Sequence, residues 1–158
     1  MSAPEPLAPD GDERSSGAPG MAPAAVGARA AGLLSGACRP VGGASSLRLE
    51  VVRCLALSIE RELDAVARSA AEDATPDLLV EAALRCADLA TLAACNAGPA
   101  LPEAGTVVRR AAVAARDLRS LAESRSIRLE NEHAESLRRD ARGVGWRVDL
   151  ASRQVEGS

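Results

Sequence analysis

The sequence lacks the aromatic residues that β-strands favour. It contains no Phe and no Tyr, and Trp146 is its single Trp. Strand cores favour aromatic and β-branched side chains, whereas Ala and Leu are strong helix formers whose small or flexible side chains suit close helix packing. Because 47% of the 158 residues are nevertheless hydrophobic, the chain can bury a core in a single domain. We therefore expect an all-α fold, a three- or four-helix bundle rich in Ala and Leu.

Lysine is also missing, and all 19 basic residues are Arg. This bias fits the codon usage of a GC-rich genome better than selection for phosphate binding, because acidic residues lie among the arginines throughout the chain. The net charge is −3, which provides no general attraction to nucleic acid. We therefore expect no nucleic-acid partner.

The four cysteines are too far apart in sequence to form a Cys-x-x-Cys pair: Cys38, Cys54, Cys86 and Cys95. This spacing argues against a zinc ribbon. Three of them lie in helical patterns beside small apolar residues, where buried free thiols are typical. Free thiols indicate a reducing compartment, so we expect a cytoplasmic protein. No stretch is long and apolar enough to span a membrane, and no membrane partner is expected.

Composition divides the chain into three parts. Residues 1–22 consist mainly of Pro, Gly, Ser, Ala and acidic residues without periodicity, which is typical of a disordered tail. Residues 23–142 contain the helical patterns and form the predicted bundle domain. Residues 143–158 are predicted to be an extended C-terminal tail, because apolar residues alternate there as in a strand. This tail would lie back on the bundle or, alternatively, dock on a partner.

Three helices are predicted before the C-terminal one, over about 24–37, 46–72 and 76–95. The second carries a single apolar stripe at spacings of three and four residues, formed by Leu47, Val51, Leu55, Ile59, Leu63 and Val66. Thr75 and Pro76 form the clearest helix start in the chain, with Thr as the N-cap and Pro at the first helical position. The third helix is apolar on most sides, which suits a central position in a bundle.

The last helix is predicted to run from Pro102 to about Arg142, either unbroken or with a break near 124–126. It is longer than the helices before it, so its far end has no partner within the chain. We therefore expect its apolar residues and the tail to contact a partner protein or a second copy of the chain. The predicted interaction residues are Leu118, Leu121, Leu129, Leu137 and Trp146.

His133 is the only histidine, so any catalytic arrangement that needs a histidine would depend on it. With Glu130 it forms one Glu-x-x-His unit, and bundles that bind two metal ions need two such units, which a symmetric dimer could supply. The surrounding stretch is the least apolar of the chain, which favours a solvent-exposed histidine. We therefore predict no catalytic residue, no metal ligand and no cofactor.

Residues 60–140 resemble the cyclodeaminase/cyclohydrolase family, the helical domain of formiminotransferase-cyclodeaminase. The resemblance rests on an Ala-rich helix before Thr75-Pro76, a Leu/Ala-rich helix that ends in Cys95-Asn96, and a further Ala-rich helix. Residues 40–45 also resemble the family's Gly-rich turn. The resemblance implies a dimeric helical bundle that acts on one-carbon tetrahydrofolate derivatives, and it implies a ligand-binding role for Asn96.

Two functions follow from these patterns. The first is a non-enzymatic helical interaction or assembly protein that uses its long C-terminal helix and tail on a partner or a second copy. The alternative is a shortened cyclodeaminase/cyclohydrolase-like protein of one-carbon metabolism, with a folate as its ligand. The sequence favours the first, because it contains no convincing catalytic constellation.

Overall fold

The structure is a computed structural model that describes residues 22–38, 44–69, 74–126 and 132–157. Within these segments the chain forms five helices and no strand, which confirms the all-α prediction. The helices are α1 (Ala22–Ala37), α2 (Ala44–Arg68), α3 (Pro76–Cys95), α4 (Ala104–Ser126) and α5 (Glu132–Glu156). None of these described helices is long and apolar enough to cross a membrane. The predicted tail, 1–22, lies outside the described residues except for Ala22.

The boundaries of α3 follow from the residues that flank it. Thr75 has extended backbone angles (φ −76°, ψ 159°), and its Oγ1 accepts a hydrogen bond from the N–H of Leu78 at 3.2 Å. This bond satisfies one of the free amide groups at the helix start. Pro76 takes the first helical position, where its missing N–H has no partner to lose. As the sequence predicts, α3 runs from Pro76 to Cys95.

The first four helices meet around Gly27 of α1. A Cβ atom at Gly27 would lie 2.7 Å from Cys86 Sγ, 3.0 Å from Leu63 Cδ1 and 3.6 Å from Ala114 Cβ. These neighbours belong to α3, α2 and α4 respectively, so the missing side chain of Gly27 lets α1 come this close to all three helices. The surrounding core consists mainly of Ala, Val and Leu.

The fifth helix, α5, covers the side of the bundle that α3 and α4 form. Arg147 of α5 forms an ion pair with Asp88 of α3. Arg116 of α4 donates a hydrogen bond to Asp149 of α5 at 3.0 Å. The buried apolar residues of α5 are Ala134, Leu137, Ala141, Val144, Val148 and Ala151. They recur every three or four positions, so one full face of α5 completes the core.

The sequence prediction of an extended tail over 143–158 is wrong, because this segment is helical as far as Glu156. The helix predicted from Pro102 to Arg142 is not continuous. α4 ends at Ser126, in agreement with the predicted alternative of a break near 124–126, and α5 begins at Glu132. Residues 127–131, between the two helices, lie outside the described part. The alternating apolar residues of this region also contain pairs one helical turn apart. A helix satisfies its own backbone while it fills the apolar surface of α3 and α4, whereas a lone extended segment would leave backbone groups without partners.

Candidate interaction surfaces

Of the predicted interaction residues that the structure describes, Trp146 alone faces the solvent. Leu118 is fully buried and Leu137 is 6% exposed, while Leu121 is partly buried against the same core. These three side chains hold α4 and α5 in the bundle, because α5 folds back along α4. Leu129 lies outside the described residues. Trp146 is 68% exposed.

The outer face of α5 combines two exposed apolar side chains with arginines. Trp146 and Leu150 lie one helical turn apart and are 68% and 51% exposed. Three exposed arginines share this face by their helical spacing, namely Arg139, Arg142 and Arg153. In the described part of the chain, none of these three guanidinium groups has an ion-pair partner, whereas Arg147 pairs with Asp88. We call the two apolar residues and the three arginines the α5 face.

The α5 face is locally positive in a chain whose net charge is −3. Glu135 shares the face one turn before Arg139, and Asp149, at its border, is neutralised by Arg116. Most of the face therefore has an excess of positive charge around an indole ring. Such an arrangement attracts acidic groups by long-range electrostatics and holds an apolar contact at short range.

A second exposed surface lies on the first half of α2. Leu47, Val51 and Leu55 are 71%, 55% and 48% exposed, and we call them the α2 stripe. Of the single apolar stripe that the sequence indicates from Leu47 to Val66, only the second half is buried. Four residues advance a helix by about 40° more than a full turn, so a stripe at this spacing winds around the helix. Val52 and Ala56 face the core at this level instead.

A groove of about 440 Å³ lies between the second half of α2 and the first half of α3. Its lining includes the apolar residues Leu63, Val66 and Leu78. Arg85 crosses it, with Nε 3.5 Å from Glu62 Oε2 and Nη1 3.0 Å from Asp88 Oδ2. Arg85 Nε is buried without a hydrogen bond, because 3.5 Å is too long for one. These charged groups form an ion-pair bridge between the two helices.

Hydrogen bonds of Asn96 link α2 to the C-terminal end of α3. Its Oδ1 accepts a hydrogen bond from Arg48 Nε at 2.8 Å, and its Nδ2 donates to the carbonyl of Leu92 at 2.8 Å. Arg48 Nη2 also donates to the carbonyl of Cys95 at 3.2 Å. Both ends of the amide are thus engaged within the chain. Arg48 was not expected at this place from the sequence, because nothing local links it to a residue of the next helix.

The four cysteines are free and divide into two environments. Cys38 and Cys86 are buried, whereas Cys54 and Cys95 are exposed. For the three cysteines in predicted helices, the expected burial is confirmed for Cys86 and is wrong for Cys54 and Cys95. Burial raises the pKa of the Cys86 thiol to about 12. Burial, followed by the negative charge of Glu103, also raises the pKa of Cys38.

His133 connects α5 to the start of α3. Its Nε2 lies 2.7 Å and 3.0 Å from the two carboxylate oxygens of Asp77. Glu130, the other half of the Glu-x-x-His unit, lies outside the described residues. Among the residues that the structure does describe, no group of three His, Cys, Asp or Glu side chains could hold a metal ion.

Fold and surfaces together define a small all-α bundle with two exposed faces, one apolar and uncharged on α2 and one aromatic and basic on α5. The chain matches no known family model, no curated protein and no solved structure. The resemblance to the cyclodeaminase/cyclohydrolase family, and the folate-binding role that it implies for Asn96, stay predictions.

Proposed function

We propose that this chain is a non-enzymatic interaction protein and that the α5 face binds an acidic partner protein. One observation carries the proposal: the only aromatic residue of the Phe, Tyr and Trp group in the chain is 68% exposed. Trp is highly buried on average in folded proteins. In interfaces, by contrast, Trp and Arg are the residues that most often supply the binding energy.

The chemistry of the α5 face indicates what the partner presents. Trp146 fits an apolar pocket that contains a hydrogen-bond acceptor for the indole N–H. Arg139, Arg142 and Arg153 can each form bidentate hydrogen bonds with carboxylates. A short acidic segment with one or two apolar side chains supplies both. Nucleic acid fits less well, because the chain is negative overall and a single aromatic ring offers little base stacking.

The test uses the fluorescence of Trp146 to report binding. The chain contains no Tyr and no second Trp, so its intrinsic fluorescence comes from the α5 face alone. The full chain and its Trp146→Ala variant are immobilised, and proteins from a lysate that bind only the former are identified. Each such partner is then purified and titrated against the full chain. We expect a blue shift of the Trp146 emission on binding, because the indole leaves water.

Substitutions on two helices provide the matched comparison. Arg142→Glu reverses one charge of the α5 face, and we expect it to weaken binding at least tenfold. Arg110→Glu makes the same change at an exposed position of α4 and should leave affinity within about twofold. Partners that bind Trp146→Ala as tightly as the natural chain, or that leave the emission unchanged at saturation, would contradict the proposal.

A further inference from the structure

The α2 stripe is the largest group of exposed apolar side chains in the described part of the chain. Val113 is exposed alone on α4, and Trp146 and Leu150 share their face with arginines. Beside the stripe, the exposed residues Cys54 and Ser58 are uncharged as well. Single exposed apolar residues are common on protein surfaces, but a contiguous group of them marks a contact surface.

The charged residues that flank the α2 stripe are engaged within the chain. Arg53 and Glu50 pair through Nη2 and Oε1 at 2.5 Å, and this hydrogen bond lowers the pKa of Glu50. Arg48 is held at the end of α3 by Asn96 and by the carbonyl of Cys95. Between positions 47 and 58 of α2, a partner therefore meets no unpaired charged side chain, and the next exposed charged positions, Arg61 and Glu62, lie beyond the stripe. The surface that complements the stripe is itself apolar and uncharged, which describes the stripe on a second copy.

The spacing of the stripe suits this second copy. Val51 lies midway between Leu47 and Leu55. We propose that the chain forms a two-fold symmetric homodimer in which the two α2 helices run antiparallel and the symmetry axis passes beside Val51. In this arrangement Leu47 of each copy packs on Leu55 of the other, and Val51 faces its counterpart. Every exposed apolar residue of the stripe then has an apolar neighbour, as the interface of a two-fold dimer requires.

The size of the stripe sets the expected strength of the dimer. Standard stable interfaces bury about 800 Å² on each partner, and three apolar side chains with their surroundings bury less. The dimer should therefore be weak, with a dissociation constant in the micromolar range or above. Packed helices have axes about 8–10 Å apart, which brings Cβ atoms on the symmetry axis close enough for a disulfide bond. Disulfide trapping is thus a suitable first test.

The trapping experiment compares two valines of matched exposure. Val51 is 55% exposed on α2, and Val113 is 51% exposed on α4. Each is replaced in turn, as V51C or V113C, in a full-length chain in which the exposed Cys54 and Cys95 are changed to Ser. Under mild oxidation, we expect V51C to form a disulfide-linked dimer at least ten times faster than V113C. Equal rates for the two variants would overturn the proposal.

Light scattering at increasing concentration tests the interface without cross-linking. We expect the mass of the natural chain to rise toward that of a dimer, the V51E variant to remain monomeric, and V113E to behave like the natural chain. A natural chain that stays monomeric, or a dimer that V51E leaves intact, would refute the α2 interface. The proposal does not rest on the α5 face, because Trp146→Ala should leave the dimer mass unchanged. Each of the two proposals can therefore fail while the other holds.

Discussion

At the scale of single residues, Gly27 controls how closely α1 approaches its neighbours. Replacement with Ala would place a methyl group 2.7 Å from Cys86 Sγ and 3.0 Å from Leu63 Cδ1. Both neighbours are fully buried, so α1 must shift to make room. Ala gains up to about 1 kcal/mol in helix propensity, which offsets part of this strain. We expect a net loss of roughly 1–2 kcal/mol in the free energy of unfolding, measured by urea titration with circular dichroism.

Gly143 provides the control for this prediction. A Cβ atom at Gly143 would meet nothing within 4 Å, although the residue is also inside a helix. Gly143→Ala should therefore stabilise the fold by up to about 1 kcal/mol. Equal losses at Gly27 and Gly143 would show that packing around Gly27 is not limiting.

Cys86 makes the stability of the fold depend on pH in the alkaline range. Burial raises the pKa of its thiol from an ordinary value of 9.0 to about 12. The folded chain therefore keeps this proton at pH values at which the unfolded chain has released it. The stabilising contribution is fully present below pH 9 and is lost as the pH rises toward 12. Within that window the free energy of unfolding should fall by up to about 1.4 kcal/mol per pH unit.

The composition of the chain separates the titration of Cys86 from that of other side chains. It contains neither Lys nor Tyr, the side chains that normally titrate in the same range. Urea unfolding at several pH values above 9 should show the decline, and Cys86→Ala should remove most of it. Cys38, whose pKa burial also raises, contributes in the same direction. A stability that does not vary over this range would contradict the prediction.

At the scale of the element, α5 offers a direct test between a helix and a strand. In a strand, residues 148 and 150 point to the same side. In α5 they point apart, since Val148 is fully buried and Leu150 is 51% exposed. Val148→Asp should lower the free energy of unfolding by about 3 kcal/mol or more, because it buries a carboxylate without a partner. Leu150→Asp should change it by less than about 0.5 kcal/mol. Similar losses in urea titrations of both variants would favour the extended segment.

At the scale of the whole molecule, the thiols report how the bundle opens. Cys86 lies where α3 meets α1, α2 and α4, so a reagent reaches it only when the helices separate. We expect two thiols to react at once with a chromogenic disulfide reagent and two to react slowly, at a rate that increases with urea. Cys95→Ser should lower the rapid count by one. Four thiols that react at one rate without denaturant would contradict the described core.

The two surfaces lie on helices that do not contact each other within the described residues, α2 and α5. A dimer formed through α2 would therefore present the α5 face twice. A partner with two matching acidic segments would bind with an affinity enhanced by the high effective concentration of the second site. The α2 interface and the α5 face would then act together, with α2 joining the copies and α5 contacting the partner.

The sequence by itself determined the features that depend on local chemistry. The scarcity of aromatic residues indicated an all-α fold, and Thr75 and Pro76 placed the start of α3 at the correct residue, because a cap and a proline act within one helical turn. The sequence also predicts an interaction role for Trp146. Its side chain is exposed, although the helix that carries it was predicted as an extended tail.

Only the tertiary structure decided which apolar residues are buried. Leu47, Val51 and Leu55 repeat as regularly as core residues, but no other helix among the described residues covers them. By their local sequence, Val144 and Val148 fit a strand as well as a helix. They form one face of a helix because that face packs on the apolar surface of α3 and α4. Burial depends on which surfaces distant parts of the chain bring together, and a local pattern contains no information about them.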